Sequence, residues 1–252
     1  MMASPPNDMQ HRFLGNTGLL LSKLSFGSFV TFNTQLDFEK SYAVLERAFK
    51  RGVNFFDTAE AYAGGQSEEF MGKIIATGIE RGVWSREDLV LSTKIFFGTK
   101  HGTDQKAGPN EQGLSRKHIV EGTKASLKRL GLEYVDTIFC HRPDPCTPIE
   151  ETVRAMNYVI NRGWAFYWGT SEWSAHDIIE ACEIADRLGL VRPVRACSWV
   201  GNGVGLTKMY DRRSINRSII SSSGHVLSSS TMFCTRHMAM GLRRGPLLHS
   251  AS

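Results

Sequence analysis

The sequence predicts an α/β fold: a (β/α)8 TIM-type barrel, incomplete, with the first five to six β/α units present and an irregular C-terminal tail. Three observations predict it. Apolar strand-like segments alternate with helix-like ones up to residue 194, which implies a parallel sheet covered by helices. A length of 252 residues accommodates one barrel of roughly 250 residues, or two smaller domains. A dinucleotide-binding open sheet, the other main parallel architecture, carries G-x-G-x-x-G after its first strand. Here that position reads Gly27-Ser28-Phe29-Val30-Thr31, so the barrel is favoured.

The elements follow in order. Residues 24–29 read as a strand, and 37–50 as a helix with Tyr42, Leu45 and Phe49 on one apolar face and Gly52 as its stop signal. Residues 53–58 (VNFFDT) form an apolar strand ending in a polar pair. Residues 67–79 are helical, and 89–94 (LVLSTK) form a strand. Residues 115–130 are helical and close at Gly131, and 134–142 (YVDTIFCHR) form a strand. The helix at 148–161 has Pro148 in its first turn, where a missing N–H costs little, and precedes Gly163. Residues 165–171 form a strand, 175–188 a helix closing at Gly189, and a sixth strand can begin at Val194. Gly201-Asn202-Gly203-Val204-Gly205 has the wrong spacing for a phosphate loop and reads as flexible loop.

Composition divides the chain at Val194. The formal charge is +5, but the last 58 residues hold eight basic groups and one acid, Asp211. That leaves 22 basic against 24 acidic residues before it. The expected organisation is a flexible N-terminus at 1–11, the barrel portion at 12–194, and a basic, Ser-rich, poorly ordered tail at 195–252. No apolar run of about 18 residues exists, so no membrane insertion is expected. Five scattered cysteines without a C-x-x-C pair support neither a disulfide framework nor a metal site, and a reducing, cytoplasmic setting follows. The tail's thinly spread charges, with few aromatics between them, argue against a nucleic-acid partner.

Chemistry in a parallel barrel lies at the C-terminal ends of the strands. Those ends carry Asp57, Lys94, His141 and Ser171-Glu172, with Tyr62 five residues beyond Asp57. Each alone has an ordinary reading as packing or solvated surface; convergence on one rim gives them meaning. A free tyrosine titrates near 10, and an adjacent ammonium stabilises its phenolate. Asp57 would hold Lys94 charged, and His141 would hydrogen-bond a substrate oxygen. Such a set protonates a forming alkoxide. It supplies no nucleophile, so the hydride must come from a cofactor.

NFFDTAEAYAGGQSE (54–68), LSTKIFFG (91–98), GLSRKHIVEG (113–122), LEYVD (132–136), HRPDP (141–145), EETVRAM (150–156) and YWGTSEW (167–173) resemble the aldo-keto reductases. Within that family they resemble the branch containing the voltage-gated potassium channel β subunits. The resemblance covers about residues 12–194. It implies a barrel that binds NADPH and reduces an aldehyde or ketone, a small carbonyl substrate. By position, Tyr62 is the proton donor, Asp57 and Lys94 tune it, and His141 lines the substrate site. Ser171 and Glu172 fall where the nicotinamide is held, and Ser28, Phe29 and Gln35 fall where this branch contacts the cofactor, as does Asp57. Residues 12–23 resemble the hairpin that closes the barrel floor. The channel branch often has Asn at the position of His141, so His favours a reductase. The alternatives are a channel-associated regulatory subunit, with a channel cytoplasmic domain or a second copy of the chain as partner, and an inactive truncated product.

After Val194 the resemblance fails, apart from an echo at 203–210. The strand there reads Arg195-Ala196-Cys197-Ser198-Trp199, without the family's nicotinamide-contacting pair, and the segments for 2′-phosphate recognition are not recognisable. The abrupt end of the match points to sequence read out of frame or through an unspliced intron.

Overall fold

The computed structural model describes residues 9–28 and 37–194, with two short strands at 196–197 and 206–207. An antiparallel hairpin, β1 (His11–Phe13) and β2 (Leu20–Ser22), comes first. Then follow β3 (Ser25–Gly27), α1 (Phe38–Lys50), β4 (Phe55–Asp57), α2 (Gln66–Glu80), β5 (Val90–Ile95) and α3 (Arg116–Leu130). The order continues with β6 (Val135–Cys140), α4 (Ile149–Asn161), β7 (Ala165–Ser171), α5 (Ala175–Arg187), β8 (Ala196–Cys197) and β9 (Leu206–Thr207). From β3 to α5 each element lies within two residues of its expected bounds.

The helix boundaries have local causes. Asp37 accepts the Lys40 N–H at 2.9 Å, and Ser115 accepts that of His118 at 3.2 Å. Ser174 and Asp177 form a reciprocal capping box on α5. Gly131 ends α3 in the left-handed region (φ 64°), which glycine enters without a Cβ penalty. Pro148 stands at the cap of α4, one position before the first turn expected for it, where its missing N–H costs no helical hydrogen bond.

The main sheet runs β8-β7-β6-β5-β4-β3-β9. Pairing is parallel from β3 through β8 and antiparallel only between β3 and β9. β8 lies where a sixth strand can follow Val194, and β9 falls inside the 203–210 echo. The antiparallel β9 differs from an all-parallel barrel. A short antiparallel partner needs no crossover helix, and the β/α alternation that would supply one stops at Val194. Among the described residues, no helix is long and apolar enough to cross a membrane.

Strand alternation sorts the side chains into two cores. Phe56, Leu91, Ile95, Ile138, Cys140 and Trp168 pack on the helices in the larger cluster. The intervening residues Phe55, Val90 and Phe139 form a smaller cluster with Leu14 and Leu21 from the hairpin. Asn54 pins the hairpin there: its side-chain oxygen accepts the Ser22 N–H at 2.7 Å, and its amide donates to the Leu20 carbonyl at 3.0 Å. Residues 12–23 thus close the apolar end of the inner face.

A buried ion pair joins the outer layer. Glu68 of α2 accepts from Arg129 Nε of α3 at 2.6 Å and from the Thr93 hydroxyl of β5. Burial raises the Glu68 pKa, and the Arg129 charge and three hydrogen bonds oppose the rise. Gly65 leaves room for this arginine, since a Cβ there would lie 2.9 Å from Arg129 Cδ.

Candidate active site

Two residues beyond each inner apolar residue, the same face turns polar. Phe55 is followed by Asp57, Phe139 by His141, and Val90 by Ser92 and then Lys94. The registers Asp57 with Ser92 and Lys94 with Phe139 set these groups at the C-terminal ends of adjacent strands. Asp57, Lys94, Tyr62 and His141 are all buried.

Lys94 is the hub. Its ammonium pairs with the Asp57 carboxylate, donates to the Thr58 carbonyl at 2.8 Å and lies 3.2 Å from the Tyr62 hydroxyl. The second carboxylate oxygen of Asp57 accepts the Ser92 hydroxyl at 2.5 Å. Tyr62 is held by the turn that follows it. Ala63 (φ 50°), Gly64 (φ 65°) and Gly65 (φ 92°) all adopt left-handed backbone, and the alanine pays a Cβ penalty for it.

His141 packs edge-on to the Tyr62 ring, with centroids 5.7 Å apart. Its Nδ1 is buried without a hydrogen-bond partner among the described residues. Burial, helped by the charges of Lys94, Arg142 and His101, pulls its pKa down to about 3. The imidazole is therefore neutral at ordinary pH.

Ser28 is buried beside this group. Its N–H donates to the Asp57 carbonyl at 3.0 Å, and its hydroxyl accepts from Ser67 at 2.7 Å. Ser171 is buried at the end of β7, one strand beyond His141. Glu172 follows it, exposed and in left-handed backbone (φ 59°). Phe29 and Gln35 lie outside the described residues, as do residues 1–8 and most of 195–252.

A comparison with known families matches residues 23–195 to the aldo/keto reductase family. The chain belongs to that family. The match ends one residue past Val194, where the β/α alternation stops. An Arabidopsis thaliana protein named probable voltage-gated potassium channel subunit beta is 60% identical over 186 residues, or 74% of this chain and 53% of that protein. A protein of the same name from Oryza sativa subsp. japonica is 55% identical over the same shares. A putative voltage-gated potassium channel subunit beta of Schizosaccharomyces pombe is 51% identical over 190 residues, 75% of this chain and 53% of its own. The chain spans about half the length of the curated relatives it matches.

In this candidate site, three residues escape a reading of strand ends. Ser92 orients Asp57, and the signal for it is its position two residues before Lys94, on the same face. The second is Glu60, inside the DTAEAY motif. Its carboxylate accepts the N–H groups of Phe96 at 2.7 Å and Gly98 at 2.9 Å and meets His118 Nε2 at 3.1 Å. It thereby fastens the loop leaving β5 and places the third, Phe97, whose ring lies 5.1 Å from that of His141. The contacts of Glu60 and Phe97 are long-range pairings, which no local pattern announces.

Proposed function

We propose that this site reduces the carbonyl of an aldehyde or ketone to the alcohol, with Tyr62 as the proton donor. The observation that carries the reading is the 3.2 Å approach of the Lys94 ammonium to the Tyr62 hydroxyl, with Asp57 locking the ammonium in place. NADPH is the hydride source the family resemblance implies, and when bound it supplies the two electrons. The residues fit such a group: Ser28 and Ser171 are small, polar and buried at the strand ends, and His141 offers a ring nitrogen without a partner among the described residues. Ser28, Asp57, Ser171 and Glu172 would hold it, with Phe29 and Gln35.

The chain's own residues then do three things. The neutral His141 imidazole donates a hydrogen bond to the carbonyl oxygen and fixes its direction. Tyr62 gives its phenolic proton to that oxygen as negative charge develops there. The Lys94 ammonium stabilises the phenolate left behind, and Asp57 keeps the lysine charged and aimed. The apolar layer of Phe55, Val90 and Phe139 seals the inner face toward the hairpin, which strengthens each of these interactions.

The test is direct. Folded protein with NADPH and 4-nitrobenzaldehyde should oxidise the cofactor, measured as loss of absorbance at the reduced-nicotinamide band. No oxidation, together with no NADPH-dependent change in tryptophan fluorescence, would sink the reading. A second reading rests on the names of the relatives, which assign them to potassium channels. Association of this chain with a voltage-gated potassium channel would appear as co-purification from detergent extracts, and its absence at micromolar protein would remove that reading.

A further inference from the structure

We propose that the mouth of this site holds a carboxylate of the substrate, bound by Arg142 and His101 against the ring of Phe97. The proposal rests on the reductase reading for the carbonyl end of the substrate and adds the chemistry of the other end.

Phe97 is the pivot. His101, exposed, stacks on its ring with centroids 4.3 Å apart and planes 25° apart. The Arg142 guanidinium lies 5.8 Å from the same ring centroid. His141, next to Tyr62, meets that ring edge-on at 5.1 Å. A path of contacts thus runs from the proposed proton donor out to a guanidinium and an exposed imidazole.

Among the described residues, neither side chain is ion-paired to an acid. Arg142 donates to the His141 backbone carbonyl at 2.8 Å, which anchors its stem, and no carboxylate pairs with it among the described residues. The acid closest in sequence, Asp144, is committed elsewhere. Its oxygens accept the N–H groups of Leu114 and Cys146 and the Thr147 hydroxyl. The charge of Asp57 is taken by Lys94. Lys94, Arg142 and His101 all bear electrostatically on His141, but Lys94 is balanced by Asp57, so the charge left to meet an anion at the mouth is that of Arg142.

A planar guanidinium with spare donors matches a carboxylate, and a flat aromatic wall matches a planar linker between carboxylate and carbonyl. The substrate class is therefore a carbonyl compound whose carboxylate stands a ring's width from the reacting carbon.

The test uses the full chain and two probes differing only in charge, 4-formylbenzoate and its methyl ester, with binding measured by calorimetry. The acid should bind about 10- to 100-fold more tightly than the ester at low salt. Arg142→Gln should collapse that ratio toward one, Arg142→Lys should restore part of it, and added salt should erode it. Equal affinity for the two probes, binding of neither, or a ratio that survives Arg142→Gln overturns the proposal. Preferential binding of the acid without NADPH-dependent turnover of either probe leaves the anion site standing and removes the reductase reading. Turnover of both probes with no preference for the acid does the reverse.

Discussion

Lys94 Nζ lies 3.2 Å from the hydroxyl oxygen of Tyr62, and the same ammonium is ion-paired to Asp57. One cation thus has two duties: it faces a phenolic hydroxyl on one side and cancels a buried carboxylate on the other. Substitutions at Tyr62 and at Asp57 separate those duties.

Tyr62→Phe removes the proton donor and leaves the lysine–aspartate pair intact. Carbonyl turnover should fall by a factor of about 10² to 10⁴. The melting transition followed by circular dichroism should stay close to that of the parent, because the ring and its contact with His141 survive.

Asp57→Asn leaves the Lys94 charge buried without a partner. The expected cost is about 3–5 kcal/mol of stability, read from urea denaturation. Adding Lys94→Met to that variant should recover much of the loss, since the second change removes the stranded charge. A double variant no more stable than Asp57→Asn would contradict the pairing.

His141 carries a prediction about pH. Its folded pKa is lowered from 6.5 to about 3, first by burial and then by the nearby Lys94 charge. The unfolded chain therefore binds a proton at this residue between those two values and the folded chain does not. Stability from this residue is present above about pH 6.5 and is lost as pH falls toward 3. Denaturation curves at pH 7 and pH 5 should differ more for the parent than for His141→Asn. Ring carbon shifts in NMR spectra should show no protonation of His141 between pH 5 and 8.

Gly72 tests the helical layer. A Cβ there would lie 2.1 Å from the Leu130 carbonyl oxygen, a backbone atom that cannot swing away. Gly72→Ala should push α2 from α3 and cost about 1–3 kcal/mol in thermal or urea unfolding. By contrast, Gly82→Ala tests only backbone strain, because no atom of the described residues lies within 4 Å of the added carbon and φ is 66°.

The alternating fold was legible because its signals are local. VNFFDT, LVLSTK and YVDTIFCHR each carry a strand and its polar end in one run of residues. Asp57, Lys94, Tyr62 and His141 could be gathered on one rim for the same reason. What escaped were partnerships across the chain: Glu60 with the Phe96 and Gly98 amides, Glu68 with Arg129, and Asn54 with the hairpin. A buried glutamate and an exposed one look alike in sequence, and only packing tells them apart. The left-handed turn at Ala63 was hidden too, since alanine gives no warning of positive φ.

The two-faced strands also limit how the protein can change. In β5, Thr93 points outward to Glu68 and Lys94 points inward to Asp57. Inserting one residue between Val90 and Thr93 would reverse that order. The ammonium would face the helices, a hydroxyl would face the tyrosine, and the buried glutamate would lose its threonine donor in the same step. Substitutions along these strands act one at a time, but a change of length by one residue disables the chemistry and the outer layer together. Insertions can be absorbed only by the loops, and a new substrate range has to be built there.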